Sequence, residues 1–378
     1  MKKITENNSG NKSWIELSEN AFVKNVRVFR KLIGNKVLIC GVVKANAYGH
    51  GLGEVAQILK NTDVDWFAVD SVKDALLLRD LKTKKPVLIL GYINLSDIGD
   101  LIRKDISFVV YNIETLKKIV ELNLNKKAKI HLKIETGLNR QGVEGIELKE
   151  FVKFIKLHKD KIVPEGISMH FANIEDTKNP DFAKLQLKRF KERLREIEKQ
   201  GVKFNIKHAA ASAGIILYPD THLDMVRVGI GLYGLFPSKE TIKKVKLFPA
   251  LSWKSIVAQI KTVDKGESVG YGRTWFAHRK SKIAVIPVGY FDGYDRKLSN
   301  RGKVIIKGLF ASVVGRICMN MFMVDVTDIL RVKLEDEVVL VGKQERNQIT
   351  ADELAEKIGT INYEVMARIN PGIPRVII

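Results

Sequence analysis

Eight short apolar runs, separated mostly by stretches of helical period, constrain the fold more than any other feature of this 378-residue sequence. They are Val37–Val43, Trp66–Val69, Pro86–Leu90, Ile106–Tyr111, Ile130–Ile134, Gly166–His170, Phe204–His208 and Met225–Val228. Runs of this kind, bounded by polar residues, read as strands buried on both faces, the habit of parallel sheets. Ahead of the first, Phe22, Val26, Phe29 and Ile33 repeat with helical spacing and define one buried face. Ser18 can cap the start of that helix and Gly34 its end. Val72–Leu81, Ile113–Leu122 and Phe182–Ile197 carry the same period. Strands alternating with helices in this number predict an α/β fold, a (β/α)8 TIM-like barrel, with an open doubly wound sheet as the competing architecture.

After Pro249 the texture changes to short β-like runs (Val257–Val263, Lys282–Val288, Lys303–Ile306, Ser312–Cys318, Met321–Val326, Glu337–Val341), several of them separated by Gly and Asp turns. Helical period is sparse there apart from Ala351–Ile358. We therefore expect a barrel over 14–248 and a mostly antiparallel β domain over 249–378, with residues 1–13 packed against the second. Trp14–Leu17 is a candidate extra strand for that second domain.

Sixty-four basic against 43 acidic residues give a formal charge of +21. Nucleic-acid binding is one reading of such an excess. The lysines, however, are spread through helical segments (Lys184, Lys188, Lys191, Lys199) and no nucleic-acid motif accompanies them. A solvated basic surface is the better reading, and its field would draw in small anions. No apolar run approaches the ~20 residues of a membrane span. MKKITENNSGNKSW lacks an apolar stretch behind its lysines, so no signal peptide is expected. Two cysteines, Cys40 and Cys318, exclude a disulfide framework and suit the cytoplasm. Walker A and Gly-x-Gly-x-x-Gly motifs are absent, and no His/Cys cluster has zinc spacing, so no metal is expected.

In a barrel, reactive residues belong just past the C-terminal ends of the strands. Lys44 follows the first run, Arg140 the fifth, His170 ends the sixth, His208 the seventh, and Arg227 lies within the eighth. Asn46, Tyr48 and His50 crowd the first loop. Taken singly, a lysine after a strand is usually solvated and a lone histidine usually structural. Arg227, between Val226 and Val228, is costly unless paired, with Asp224 for example, or bound to a ligand. Ala210–Gly214 and Val228–Gly231 are candidate phosphate-holding segments.

The segment Val42-Val43-Lys44-Ala45-Asn46-Ala47-Tyr48-Gly49-His50-Gly51 resembles the cofactor-lysine segment of bacterial alanine racemases, pyridoxal-phosphate (PLP) enzymes of fold type III. Supporting blocks run the length of the chain: Glu135–Gly142, Met225–Ile230, Val269–Thr274, Gly289–Tyr294, Val314–Met319 and Ile361–Val365. The resemblance implies a PLP-binding barrel, a β domain, and a head-to-tail homodimer that interconverts L- and D-alanine for peptidoglycan synthesis.

By that resemblance Lys44 carries the cofactor and exchanges the proton of the D isomer, while Tyr271, from the partner subunit, exchanges that of the L isomer. Arg227 meets the pyridine nitrogen, and because arginine does not readily yield a proton, transamination is suppressed. His170 lies beside Arg227. Tyr48, Ser212, Gly229, Ile230 and Tyr363 hold the phosphate. Arg140 and the Met319 N–H meet the substrate carboxylate. Lys133 matches a lysine often carbamylated in the family, with a plain lysine held by a carboxylate as the alternative. Glu175, Tyr290, Arg296 and Arg316 mark an outer entrance. Two residues depart from the pattern: Ala211 replaces an asparagine and Asn320 an aspartate, which bears on strictness for alanine. The alternatives are a racemase of wider range, acting on serine or other small amino acids, and a non-catalytic PLP carrier, a class that lacks the β domain. A decarboxylase of the same broad fold is a third, although its cysteine-bearing motifs are missing.

Overall fold

The computed structural model describes residues 11–175 and 178–378. The chain forms two compact units: Asn20–Ala45 with Val55–Phe248, and the segment ending at Glu19 with Asn46–Glu54 and Pro249–Ile378. β1 (Ser13–Leu17) belongs to the second. In the first, among the described residues, eight parallel strands close a barrel in chain order: β2 (Leu38–Val42), β3 (Trp66–Val69), β4 (Val87–Ile89), β5 (Ser107–Val110), β6 (Ala128–Lys133), β7 (Ile162–Ser168), β8 (Ile206–His208) and β9 (Met225–Val228). β9 pairs back onto β2 with Cys40 opposite Arg227. The barrel expected from the sequence is therefore present, and the open sheet is excluded.

The helix Glu19–Ile33 buries Phe22, Val26, Phe29 and Ile33, the face its spacing predicts. Each such side chain contributes roughly 1.5–3 kcal/mol by leaving water. Gly34, at φ 72°, ends the helix and donates its N–H to Arg30 O at 2.9 Å.

β7 starts four residues before the apolar run that suggested it. Its register against β6 jumps from Ile130↔Pro164 to His131↔Gly166, which leaves Glu165 as an unpaired extra residue. A β-bulge of this kind bends the strand and re-aims a side chain. Pro164 and Glu165 hid this half of the strand from a search for apolar runs.

The second unit is built on β1, β10 (Leu251–Ile256), β11 (Gln259–Val263), β12 (Ser281–Ile286), β13 (Lys303–Ile306), β14 (Leu309–Val314), β15 (Phe322–Asp325), β16 (Glu337–Gln344), β17 (Asn347–Ile349) and β18 (Arg375–Ile377). Their order is β11-β12-β15-β14-β13-β16-β10-β1-β18, with β17 beside β16. The pairings are antiparallel except β1 with β18. A barrel domain starting at residue 14 thus needs correction, because Ser13–Leu17 pairs with Leu251–Ser255 and is part of this sheet. Residues 1–10, expected to pack on the same unit, lie outside the described residues. Just after them, Ser255 Oγ donates to Lys12 O at 2.7 Å.

Candidate active site

Lys44 lies two residues beyond β2, its amine 3.8 Å from the exposed Asp70 carboxylate. The following backbone turns left-handed over four successive non-glycine residues. Ala45, Asn46, Ala47 and Tyr48 have φ of 52°, 53°, 53° and 53°. Such a conformation costs roughly 1–2 kcal/mol per residue and persists only where contacts enforce it. Here Asn46 Oδ1 accepts from Leu52 N–H at 2.9 Å, and Arg375 donates to Gly49 O at 2.9 Å. Gly49 admits no side chain, since a Cβ there would stand 1.9 Å from Met366 O. Neither apolar period nor turn propensity announced this turn.

Arg227 projects from β9 and is buried, yet no carboxylate pairs with it among the described residues. The expected alternative of an ion pair with Asp224 is overturned. Asp224 instead accepts from Lys207 N–H at 2.8 Å and faces Lys207 Nζ at 3.7 Å. The Arg227 guanidinium donates to His208 Nδ1 at 2.6 Å, His170 Nδ1 at 3.1 Å, Met169 O at 2.9 Å and Ala209 O at 2.8 Å. Burial draws its pKa down to about 10. His170 lies just beyond β7. Burial and then Arg227, Lys133, Arg140 and Lys44 hold its imidazole well below the ordinary value, so the ring is neutral. Four cations from separate segments, Arg227, Lys133, Arg140 and Lys44, thus all act on this one imidazole.

Lys133, at the end of β6, is pushed well below the usual lysine range by burial, Arg227 and Arg140. Arg140 sits on a loop organised by Glu135. That carboxylate accepts N–H bonds from Thr136, Gly137 and Leu138 at 2.7, 2.5 and 2.7 Å, and from Asn139 at 2.9 Å. Burial would raise its pKa, but these bonds prevail and lower it. Glu135 opens the family-like block Glu135–Gly142, but its sequence context does not announce this role. Ser212 Oγ accepts from Gly229 N–H at 3.1 Å and Gly231 N–H at 3.3 Å, which ties the two candidate phosphate segments together. Ala211 is the N-cap of the helix Ser212–Leu217 and offers no side-chain cap, the contact an asparagine could make. Glu175 lines a small pocket with His170 and Ala211.

In the sheet unit, Tyr48 and Tyr363 rings lie 6.2 Å apart. Tyr271 follows Gly270 (φ 79°) on a short helical turn and is 71% exposed. It lines an open groove whose walls include Val263, Val269, Ile283, Met321 and Met323. Arg316 packs against Gly272, where a Cβ would come 2.8 Å from its guanidinium carbon. Met319 and Asn320 are exposed on the loop after Cys318. Met319 O accepts from Phe291 N–H at 3.0 Å, and Gly289 allows this loop to approach. Tyr290 and Arg296 share a second groove with Asp295 and Arg368. His131, Glu165 and Ser107, which line the barrel interior beneath Arg227, are not among the residues expected from the sequence; the histidine within the apolar run of β6 is the one signal they leave there.

The closed barrel with a cationic rim, joined in sequence to an antiparallel sheet unit, defines a two-module barrel enzyme. Residues 17–237 match the alanine racemase N-terminal domain model and residues 250–377 the C-terminal domain model. The chain belongs to the alanine racemase family. It is 42% identical over 368 residues to alanine racemase 2 of Caldanaerobacter subterraneus subsp. tengcongensis, covering 96% of this chain and 94% of that one. Its fold matches the alanine racemase of Clostridium difficile 630 with a TM-score of 0.91 at 36% identity, over 97% of this chain and 96% of that one. A histidine racemase of Leuconostoc mesenteroides subsp. sake matches with a TM-score of 0.90 at 29% identity, over 98% of each chain.

Proposed function

We propose that this chain interconverts L- and D-alanine with PLP as cofactor, through Lys44 and Tyr271, and so supplies D-alanine for peptidoglycan in the cytoplasm. The carrying observation is a rim of cations: buried Arg227, with no carboxylate paired to it among the described residues, and Lys133, Arg140 and Lys44 all near enough to His170 to depress its pKa. Such a rim suits an anionic cofactor and an anionic substrate. When bound, PLP supplies the electron sink that acidifies the substrate Cα–H.

The chain's own groups do the rest. In this reading Lys44 Nζ holds the cofactor and moves the proton of the D isomer; Tyr271 Oη moves that of the L isomer. Arg227 keeps its protons even at a pKa of about 10, so it offers a hydrogen bond to the ring nitrogen without protonating it. Tyr48, Ser212, Gly229, Ile230 and Tyr363 bind phosphate, with the Ser212–Gly229 bond holding part of that cradle in shape. His170 stays neutral beside Arg227. Arg140 and Met319 N–H receive the substrate carboxylate, and a carbamate on Lys133 would orient Arg140. Exposed Tyr271 beside an open apolar groove supports a homodimer with active sites shared between subunits. Nucleic acid and membrane are not partners in this reading; among the described residues no helix is long and apolar enough to cross a membrane.

A wider substrate range is the second reading, favoured by Asn320 on the exposed Met319 loop and by the fold shared with a histidine racemase. The carrier reading loses ground to the sheet unit, which that class lacks. Racemisation assays with added PLP across alanine, serine and histidine decide among them. Alanine should give the highest kcat/KM; a clear preference for serine or histidine selects the second reading. Lack of deuterium exchange at alanine Cα selects the carrier.

A further inference from the structure

Beneath Arg227 the barrel interior holds a line of hydrogen bonds to which the proposed reaction gives no part. His208 Nε2 lies 2.9 Å from His131 Nδ1. His131 Nε2 lies 3.3 Å from Glu165 Oε2, which also accepts from Ser107 Oγ at 2.5 Å. Both rings are fully buried. The two ends of the line fix its direction, because a guanidinium only donates and a carboxylate only accepts. Arg227 donates to His208 Nδ1, so His208 carries its proton on Nε2. That proton points at His131 Nδ1, so His131 carries its own on Nε2, aimed at Glu165. With two neutral rings, only this arrangement satisfies every contact.

The backbone is shaped for the line. Bulging of β7 at Glu165 sets its carboxylate within reach of His131. The next residue is glycine, where a Cβ would stand 2.2 Å from His131 Nδ1. Burial keeps both imidazoles below their ordinary pKa and therefore neutral. Burial alone would raise the Glu165 carboxyl; the bonds from His131 and Ser107 prevail and keep it ionised.

We propose that Glu165 is a positioning residue for Arg227, which it orients by fixing the proton order of His131 and His208. Were Glu165 no longer an acceptor, the His131 proton could move to Nδ1. His208 would then accept at Nε2 and carry its proton on Nδ1, facing an Arg227 N–H. Two opposed donors would turn the guanidinium away from its aim. The inference rests on the reading of Arg227 as the partner of the cofactor nitrogen.

The test is 15N NMR of the holoenzyme with labelled histidine, His208 and His131 being assigned by substitution. Wild type should show Nδ1 unprotonated on both rings; a protonated Nδ1 on either one overturns the proposal before any Glu165 variant is made. Glu165→Gln keeps an acceptor and should preserve that pattern and near wild-type kcat. Glu165→Met removes the acceptor and should give mixed tautomers at His208, with kcat down about 10- to 100-fold, the loss expected of a misaimed site group. An unchanged His208 pattern in Glu165→Met, or an equal disturbance in Glu165→Gln, overturns the proposal. Failure of the wild type to racemise any amino acid would instead count against the functional reading, since the tautomers are read independently of turnover.

Discussion

Gly166 presses directly on the His131 ring: any side chain there would begin 2.2 Å from His131 Nδ1. Glycine usually weakens a strand interior, so its place in β7 reflects the space this ring occupies. Gly166→Ala should therefore destabilise the protein by about 1–3 kcal/mol, the usual cost of overpacking. Urea unfolding measures it; a variant as stable as wild type would mean that the ring can move aside freely.

Lys44→Ala should abolish the visible absorption of protein-bound PLP after dialysis, and with it racemisation. Tyr271→Phe should keep that absorption and lose activity by about 10²- to 10⁴-fold, the range for a lost general acid/base. An unchanged spectrum in the first variant or full turnover in the second removes that residue from the mechanism.

Lys133 has the character carbamylation requires. Its depressed pKa leaves a share of neutral amine, whose Nζ can add to CO2 with release of a proton. Ser168, in register with Lys133, buries a hydroxyl that has no hydrogen-bond partner among the described residues. Protein equilibrated with 13C-bicarbonate should show one carbamate carbonyl resonance, absent in Lys133→Gln, and that variant should have a raised KM for alanine as Arg140 loses its orienting charge. A resonance that survives the substitution places the carbamate elsewhere.

Acid stability should report on His50. Burial lowers its pKa from 6.5 to about 4, while its Nδ1–H donates to Tyr48 O at 3.0 Å. The unfolded chain takes up this proton first, so stability falls as pH drops from 6.5 towards 4 and is constant in this respect above 6.5. The loss is on the order of 3 kcal/mol. His50→Gln should show a shallower fall of unfolding free energy across that window; parallel curves would assign the acid sensitivity to other groups.

Much of this was legible in one dimension. Strands buried on both faces must be apolar along their length, so β2, β3, β4, β5 and β9 stood out. The segment around Lys44 and the blocks around Arg140, Arg227 and Tyr271 carried the family. What escaped the sequence was set by partners distant along the chain. The bulge at Glu165 breaks the apolar run that marks β7. β17 and β18 have three residues each, too few for any period to show. The left-handed turn after Lys44 is held by Leu52, Met366 and Arg375.

The sequence by itself determined the alternation that closes a barrel and the order of residue types at its rim, because both depend on patterns between near neighbours. Only the tertiary structure decided that Arg227 meets two neutral histidines rather than Asp224, and that Glu165 lies at the far end of their line. A hydrogen bond depends on where two atoms come to rest in space, and His131 and His208, bonded in that line, are 77 residues apart in the chain.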